Sequence, residues 1–158
     1  GLSFDNQMPE TIAQLKAPVI IMHMKGNPSD MQENPKYKDV IDEIITYFKE
    51  KINIAINSGI EREMIILDPG IGFGKTVEHN FKILSELNRF NNLELPLLIG
   101  PSRKSFIGLT LNLPPEDRLD GTAATVAVGV NNGARIVRVH DVKNMKRVAI
   151  IADKIRNA

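Results

Sequence analysis

Between Ile66 and Thr76 the chain reads Ile-Leu-Asp-Pro-Gly-Ile-Gly-Phe-Gly-Lys-Thr, which puts a carboxylate, an aromatic ring, three glycines and a lysine in one short stretch. An apolar strand, Met64 to Leu67, runs into Asp68. Glycines then let the backbone approach a ligand closely, and α/β proteins build their sites at such carboxyl strand ends. Asp68 presents two acceptors that match paired N–H donors on a planar heterocycle, a strong and directional pairing. Its plainer role is to cap the amides of the glycine loop. Phe73 is flanked by glycines and has little scaffold beneath it, so its ring is as suited to covering a ligand as to packing. Two nucleotide readings fail on spacing. A Walker loop would need a glycine where Pro69 stands, and a dinucleotide fingerprint would need its third glycine at Lys75 or Val77. The loop reads as a site, but not for ATP or NAD.

A second set of polar residues follows other apolar runs. Ser102-Arg103-Lys104-Ser105 comes after Gly100, and Arg138 and His140 lie two apart, on one side of a predicted strand. The bland alternatives are a solvated basic turn and a charged strand terminus. Barrels, however, bind phosphate on the loops after their last two strands. Arg138, His140 and the 102–105 loop therefore read as an anion clamp for phosphate or pyrophosphate. His79 falls at a predicted helix start and reads as structural. His23 ends a strand with no partner visible in the sequence. No set of ligands has metal spacing.

Four strands should present these groups: Pro18 to His23, Met64 to Leu67, Leu97 to Gly100, and Ile136 to His140. Each is a short, mostly apolar run, as expected of strands buried on both faces. Helices are predicted between them. Ile41, Ile44, Ile45, Phe48, Ile52 and Ala55 fall at helical spacing, with Gly59 as the stop. Phe81, Leu84, Leu87 and Phe90 form a second stripe. Thr122 to Val130 is apolar nearly all round and reads as a buried helix ended by Gly133. Met145, Val148, Ala152 and Ile155, with Ile151 beside them, mark a last helix that Asp141 is placed to cap. The chain opens with a helix around Met8 to Lys16 and has no strand before it. Strands alternating with helices give a parallel sheet with right-handed crossovers. Four such units are half of the eight that close a barrel.

The totals bound the class. At 158 residues, 42% apolar and 25% charged, the chain fits one soluble globular domain, residues 1–158. A net charge of +1, with Lys and Arg scattered, makes no case for nucleic acid. There is no cysteine, so disulfides and thiolate metal sites are out. No apolar run reaches the ~20 residues of a membrane span. The first residues, Gly-Leu-Ser-Phe-Asp, lack a leader pattern, which makes the cytoplasm the expected location.

Several motifs occur in one order: Met22-His23-Met24-Lys25-Gly26, the 68–76 loop, Gly100 to Gly108, Asp120-Gly121-Thr122, and Arg138-Val139-His140-Asp141-Val142. Together they resemble dihydropteroate synthases, pterin-binding barrels of folate synthesis and the target of sulfonamides. The resemblance covers the second half of that barrel and implies strands five to eight of a (β/α)8 TIM barrel. It implies condensation of 6-hydroxymethyl-7,8-dihydropterin pyrophosphate with p-aminobenzoate to give 7,8-dihydropteroate and pyrophosphate. Carried over by position, Asp68 holds the pterin edge, and Met22, Gly72 and Phe73 line its pocket. Lys104 touches both pterin and aminobenzoate, which Phe73 and Ser105 also border. Arg138 and His140 hold pyrophosphate, and with Lys104 make up the catalytic set. The resemblance further implies Mg2+, held by an asparagine on a first strand outside this chain, and a homodimer when complete.

Two other readings stand beside it. Pterin-dependent methyltransferases share the barrel, but methyl transfer leaves no pyrophosphate to hold. A non-catalytic fragment would keep pterin and anion contacts without turnover. Four parallel strands cannot close a barrel, so the first and last are expected to keep open edges. A missing N-terminal half-barrel is the expected partner, and little activity is expected of this chain alone.

Overall fold

The computed structural model describes residues 2, 5–26 and 35–158. Gly1, Ser3 and Phe4, part of the terminus read above as leaderless, lie outside them. The order is α1 (Met8–Leu15), β1 (Val19–Met22), α2 (Val40–Asn57), β2 (Ile65–Asp68), α3 (Val77–Ser85), β3 (Leu98–Ile99), α4 (Ser105–Leu111), α5 (Leu119–Asn131), β4 (Ile136–Val137) and α6 (Val142–Arg156). β1 pairs with β2 in parallel, with Met22 opposite Asp68. β3 pairs with β4, Leu98 opposite Ile136. A parallel bridge between Leu67 and Leu97, with the Leu67 amide donating to Pro96 O at 2.9 Å, joins the two pairs in the order β1-β2-β3-β4. Among the described residues no helix is long and apolar enough to cross a membrane.

Local chemistry explains the elements. The Asp39 carboxylate accepts from the amides of Ile41 and Asp42 and starts α2, and Gly59, at φ +92°, lets the chain leave it. The apolar face of α2 (Ile41, Ile44, Phe48, Ile52) packs with Ile21, Ile65, Leu67, Ile83, Leu87 and Phe90 into the main core. A smaller core joins α5 and α6 through Val126, Val130, Met145 and Ala152. Burying such side chains stabilises by roughly 1.5–3 kcal/mol each.

Several expectations are corrected. The strands are shorter than their apolar runs, so Arg138 and His140 lie beyond β4 rather than on it. Only β2 and β3 are enclosed. Ile20 on β1 and Ile136 on β4 are 48% and 37% exposed, because the outer strands have a neighbour on one side only. Phe81 is exposed rather than core: the buried row of α3 is Asn80, Ile83 and Leu84, leading to Leu87, and Phe81 flanks it, edge-on to Phe106. The helix ends at Ser85, and Leu87 and Phe90 belong to a 3-10 segment, Leu87–Leu93. α5 is buried along one face, with Val128 outside. On α6, Met145 and Ala152 are buried, while Ile151 and Ile155 are exposed. Asp141 precedes α6 but makes no side-chain cap, because Arg103 holds its carboxylate.

Candidate active site

Asp68 ends β2 almost fully buried, and its Oδ1 accepts from the Gly70 amide at 2.8 Å. Capping and recognition are therefore compatible: one oxygen orders the loop, and Oδ2 accepts no hydrogen bond among the described residues. Burial pushes the carboxyl pKa up, and the Gly70 amide together with the charges of Lys75, Lys104 and Arg138 pulls it down. Those three cations come from the loops after β2 and β3 and from the end of β4, so the strand ends converge on Asp68.

The glycine loop is pressed against the end of β1. A Cβ on Gly70 would fall on the His23 carbonyl oxygen, and one on Gly74 on that of Lys25. Both glycines have positive φ, +69° and +63°. Asn80 takes the Gly72 amide on Oδ1 and donates through Nδ2 to Thr76 O, both at 2.7 Å. Tyr37 donates its hydroxyl to Gly74 O at 2.8 Å. Thr76 and His79 form a reciprocal cap at the start of α3, which bears out the structural reading of His79. His23 has a partner after all: its Nδ1 lies 3.1 Å from Lys75 Nζ.

Phe73 lies over the Lys104 ammonium, 4.1 Å from ring centroid to Nζ. A Cβ on Gly72 would stand 3.0 Å from the Lys104 stem, so the glycine gives this lysine its room. Burial lowers the Lys104 pKa, and Asp68 opposes that. Ser105 opens α4 and is exposed. Beside it a cleft of about 580 Å³ lies between the amino ends of α3 and α4, lined by Lys75, Thr76, Asn80, Ser105 and Phe106. Met22 ends β1, half-buried, opposite Asp68.

Arg138 and His140 follow β4, both exposed. The Arg138 amide donates to Ile99 O at 2.9 Å, which fixes its place beside β3. The clamp expected of the whole 102–105 loop is divided in two. Arg103, at φ +55°, makes a two-nitrogen fork onto Asp141 and takes its backbone partners from Thr122 and Arg118, so it serves the scaffold. Ser102 bonds His140. Arg138 and His140 stay exposed, and the half-buried Lys104 lies against Phe73.

Among the described residues no three of His, Asp and Glu gather as a metal would require. The donors among the described residues do not make a magnesium site.

The sequence pattern of the pterin binding enzymes matches residues 1–140. The chain belongs to the pterin-binding enzyme family. It is 46% identical to the dihydropteroate synthase of Synechocystis over 98% of its own length and 54% of that protein's. Against the Escherichia coli dihydropteroate synthase the identity is 49% over 85% and 48% of the two chains. The crystal structure of Yersinia pestis dihydropteroate synthase with a sulfonamide drug complex superposes with a TM-score of 0.95 at 39% identity, covering 99% of this chain and 57% of that one. The chain thus spans about half the length of the relatives it matches. Its four parallel βα units are part of the (β/α)8 barrel of the pterin-binding enzymes.

Sequence reasoning missed Asn80, Tyr37 and the inward turn of Lys75. Asn80 had a signal, four residues after the capping Thr76. Tyr37 had none, since nothing local ties it to Gly74.

Proposed function

We propose that this chain supplies the pterin and pyrophosphate side of a dihydropteroate synthase, joining 6-hydroxymethyl-7,8-dihydropterin pyrophosphate to p-aminobenzoate. One observation carries the reading: Asp68, Lys104 with Phe73, and Arg138 meet at the carboxyl ends of adjacent strands, with the cations facing the carboxylate. Asp68 accepts from the pterin's amino and ring N–H groups, with Met22 below and Phe73 above. Lys104 reaches the pterin from beneath Phe73 and, with Ser105, borders the aminobenzoate. Arg138 and His140 take the pyrophosphate. Its oxygen leaves with the electron pair of the C–O bond, and the arylamine nitrogen attacks the pterin cation and then releases its proton. The residues act by positioning and by stabilising charge as it develops. Magnesium belongs to the same reading, with its protein ligand outside this chain.

Ser102 holding His140 at the anion side favours this reading over methyl transfer, which leaves no pyrophosphate. The exposed Ile20 and Ile136 on the outer strands support a half-barrel partner carrying four further strands; a homodimer of the completed barrel belongs to the same reading. The test combines this chain with a separately made first half, both substrates and magnesium. Dihydropteroate and pyrophosphate in equal amounts are expected from the mixture and little from this chain alone. A completed barrel that binds pterin without condensing it would overturn the synthase reading.

A further inference from the structure

Lys75, which a nucleotide-loop reading would aim at a phosphate, points the other way. It is 3% exposed, and its Nζ donates to Phe73 O at 2.9 Å and meets His23 Nδ1 at 3.1 Å. Among the described residues no carboxylate forms an ion pair with it. A cation buried on two neutral acceptors is costly compared with an apolar side chain of the same length. Packing alone does not account for a lysine here.

The two acceptors explain what it does. Phe73 O belongs to the residue whose ring covers Lys104, and His23 follows β1 directly. The same seam is closed on both sides of Lys75. The His23 amide donates to Asp68 O at 2.9 Å, and Gly70 and Gly74 leave no room above the carbonyls of His23 and Lys25. We propose that Lys75 is a positioning residue of the pterin site, a clasp from within the loop that fixes Phe73 and the turn after Asp68 to the end of β1 through His23. This rests on the reading that Asp68 and Phe73 hold the pterin.

With Lys75 as donor, His23 must accept at Nδ1, so its ring is neutral with the proton on Nε2. Burial, then the charges of Lys75 and Lys25, lower the His23 pKa to about 3, which keeps that acceptor available at neutral pH. Burial also lowers Lys75 to about 7, against the pull of Asp68. The groups facing Asp68 are Lys75, Lys104 and Arg138. Lys75 alone of these also holds the loop backbone.

The experiment uses the completed barrel and two probes, a 6-hydroxymethylpterin without phosphate and inorganic pyrophosphate, each titrated by calorimetry. Lys75→Met should weaken the pterin by about tenfold or more, the scale of one lost charged hydrogen bond, and leave pyrophosphate within about twofold. His23→Leu should move the same way. His23→Asn, whose Oδ1 can stand where Nδ1 stood, should restore pterin affinity. Unchanged pterin affinity in Lys75→Met, or equal losses for both probes, would overturn the proposal. Should Lys75→Met fail to fold, the His23 pair decides: equal pterin affinity in His23→Leu and His23→Asn would overturn it. Asp68→Asn separates the two readings. A loss there with none in Lys75→Met removes only the clasp, whereas a wild type that does not bind pterin removes the functional reading and the clasp with it.

Discussion

Ser102 and His140 hold each other twice: Ser102 Oγ lies 2.9 Å from His140 Nδ1, and the His140 amide donates to the same oxygen at 3.2 Å. The buried serine of the loop after β3 thus sets the imidazole that follows β4. Ser102→Ala should free that ring and weaken pyrophosphate binding roughly fivefold, about the value of one neutral hydrogen bond. Calorimetry on the completed barrel checks this, and unchanged affinity would separate His140 from the anion.

Arg138 contributes charge at the same end. Arg138→Ala should weaken pyrophosphate by about tenfold or more, as loss of a charge-assisted pair does, while a pterin without phosphate binds nearly as before. Equal losses for both ligands would mean that Arg138 holds the scaffold.

Asp68→Asn keeps the shape and exchanges one acceptor for a donor facing a donor. Pterin affinity in the completed barrel should fall by about 1.5–3 kcal/mol. Binding unchanged in the variant would remove Asp68 from the site.

His23 makes the fold sensitive to acid. Its pKa falls from an ordinary 6.5 to about 3 on folding, chiefly by burial. Between these values the unfolded chain holds a proton that the folded chain lacks, so stability present at neutral pH is lost as pH falls. From pH 7 to pH 5 the loss should be about 2 kcal/mol. Asp68, raised by burial, contributes the opposite slope above its ordinary range. Comparing wild type with His23→Asn in urea at both pH values isolates the histidine. Parallel curves would show that His23 titrates normally.

The sequence carried the order of elements, because apolar runs that end in polar residues mark strand ends whatever the rest of the fold does. It also placed Asp68, Phe73, Lys104 and Arg138, since each stands at such an end. What it could not carry were partners distant along the chain. Arg103 and Asp141, 38 residues apart, form a fork, which turned one expected anion donor and one expected helix cap into scaffold. Spacing excluded a nucleotide role for Lys75 but could not show that its side chain turns inward to His23, 52 residues away along the chain. Phe81 was misplaced because its three-residue spacing to Leu84, Leu87 and Phe90 read as one helical stripe. Leu87 and Phe90 lie instead in a separate 3-10 segment, and the buried row of the helix itself runs through Asn80, Ile83 and Leu84.

Gly70 and Gly74 sit four positions apart, each against a carbonyl two residues from the other's along the end of β1. That spacing works as a ruler. One residue added or removed between Asp68 and Thr76 would bring a side chain onto His23 O or Lys25 O, or pull the helix cap off its amide. Related proteins should therefore vary this segment by exchanging side chains at positions such as Ile71, never by changing its length.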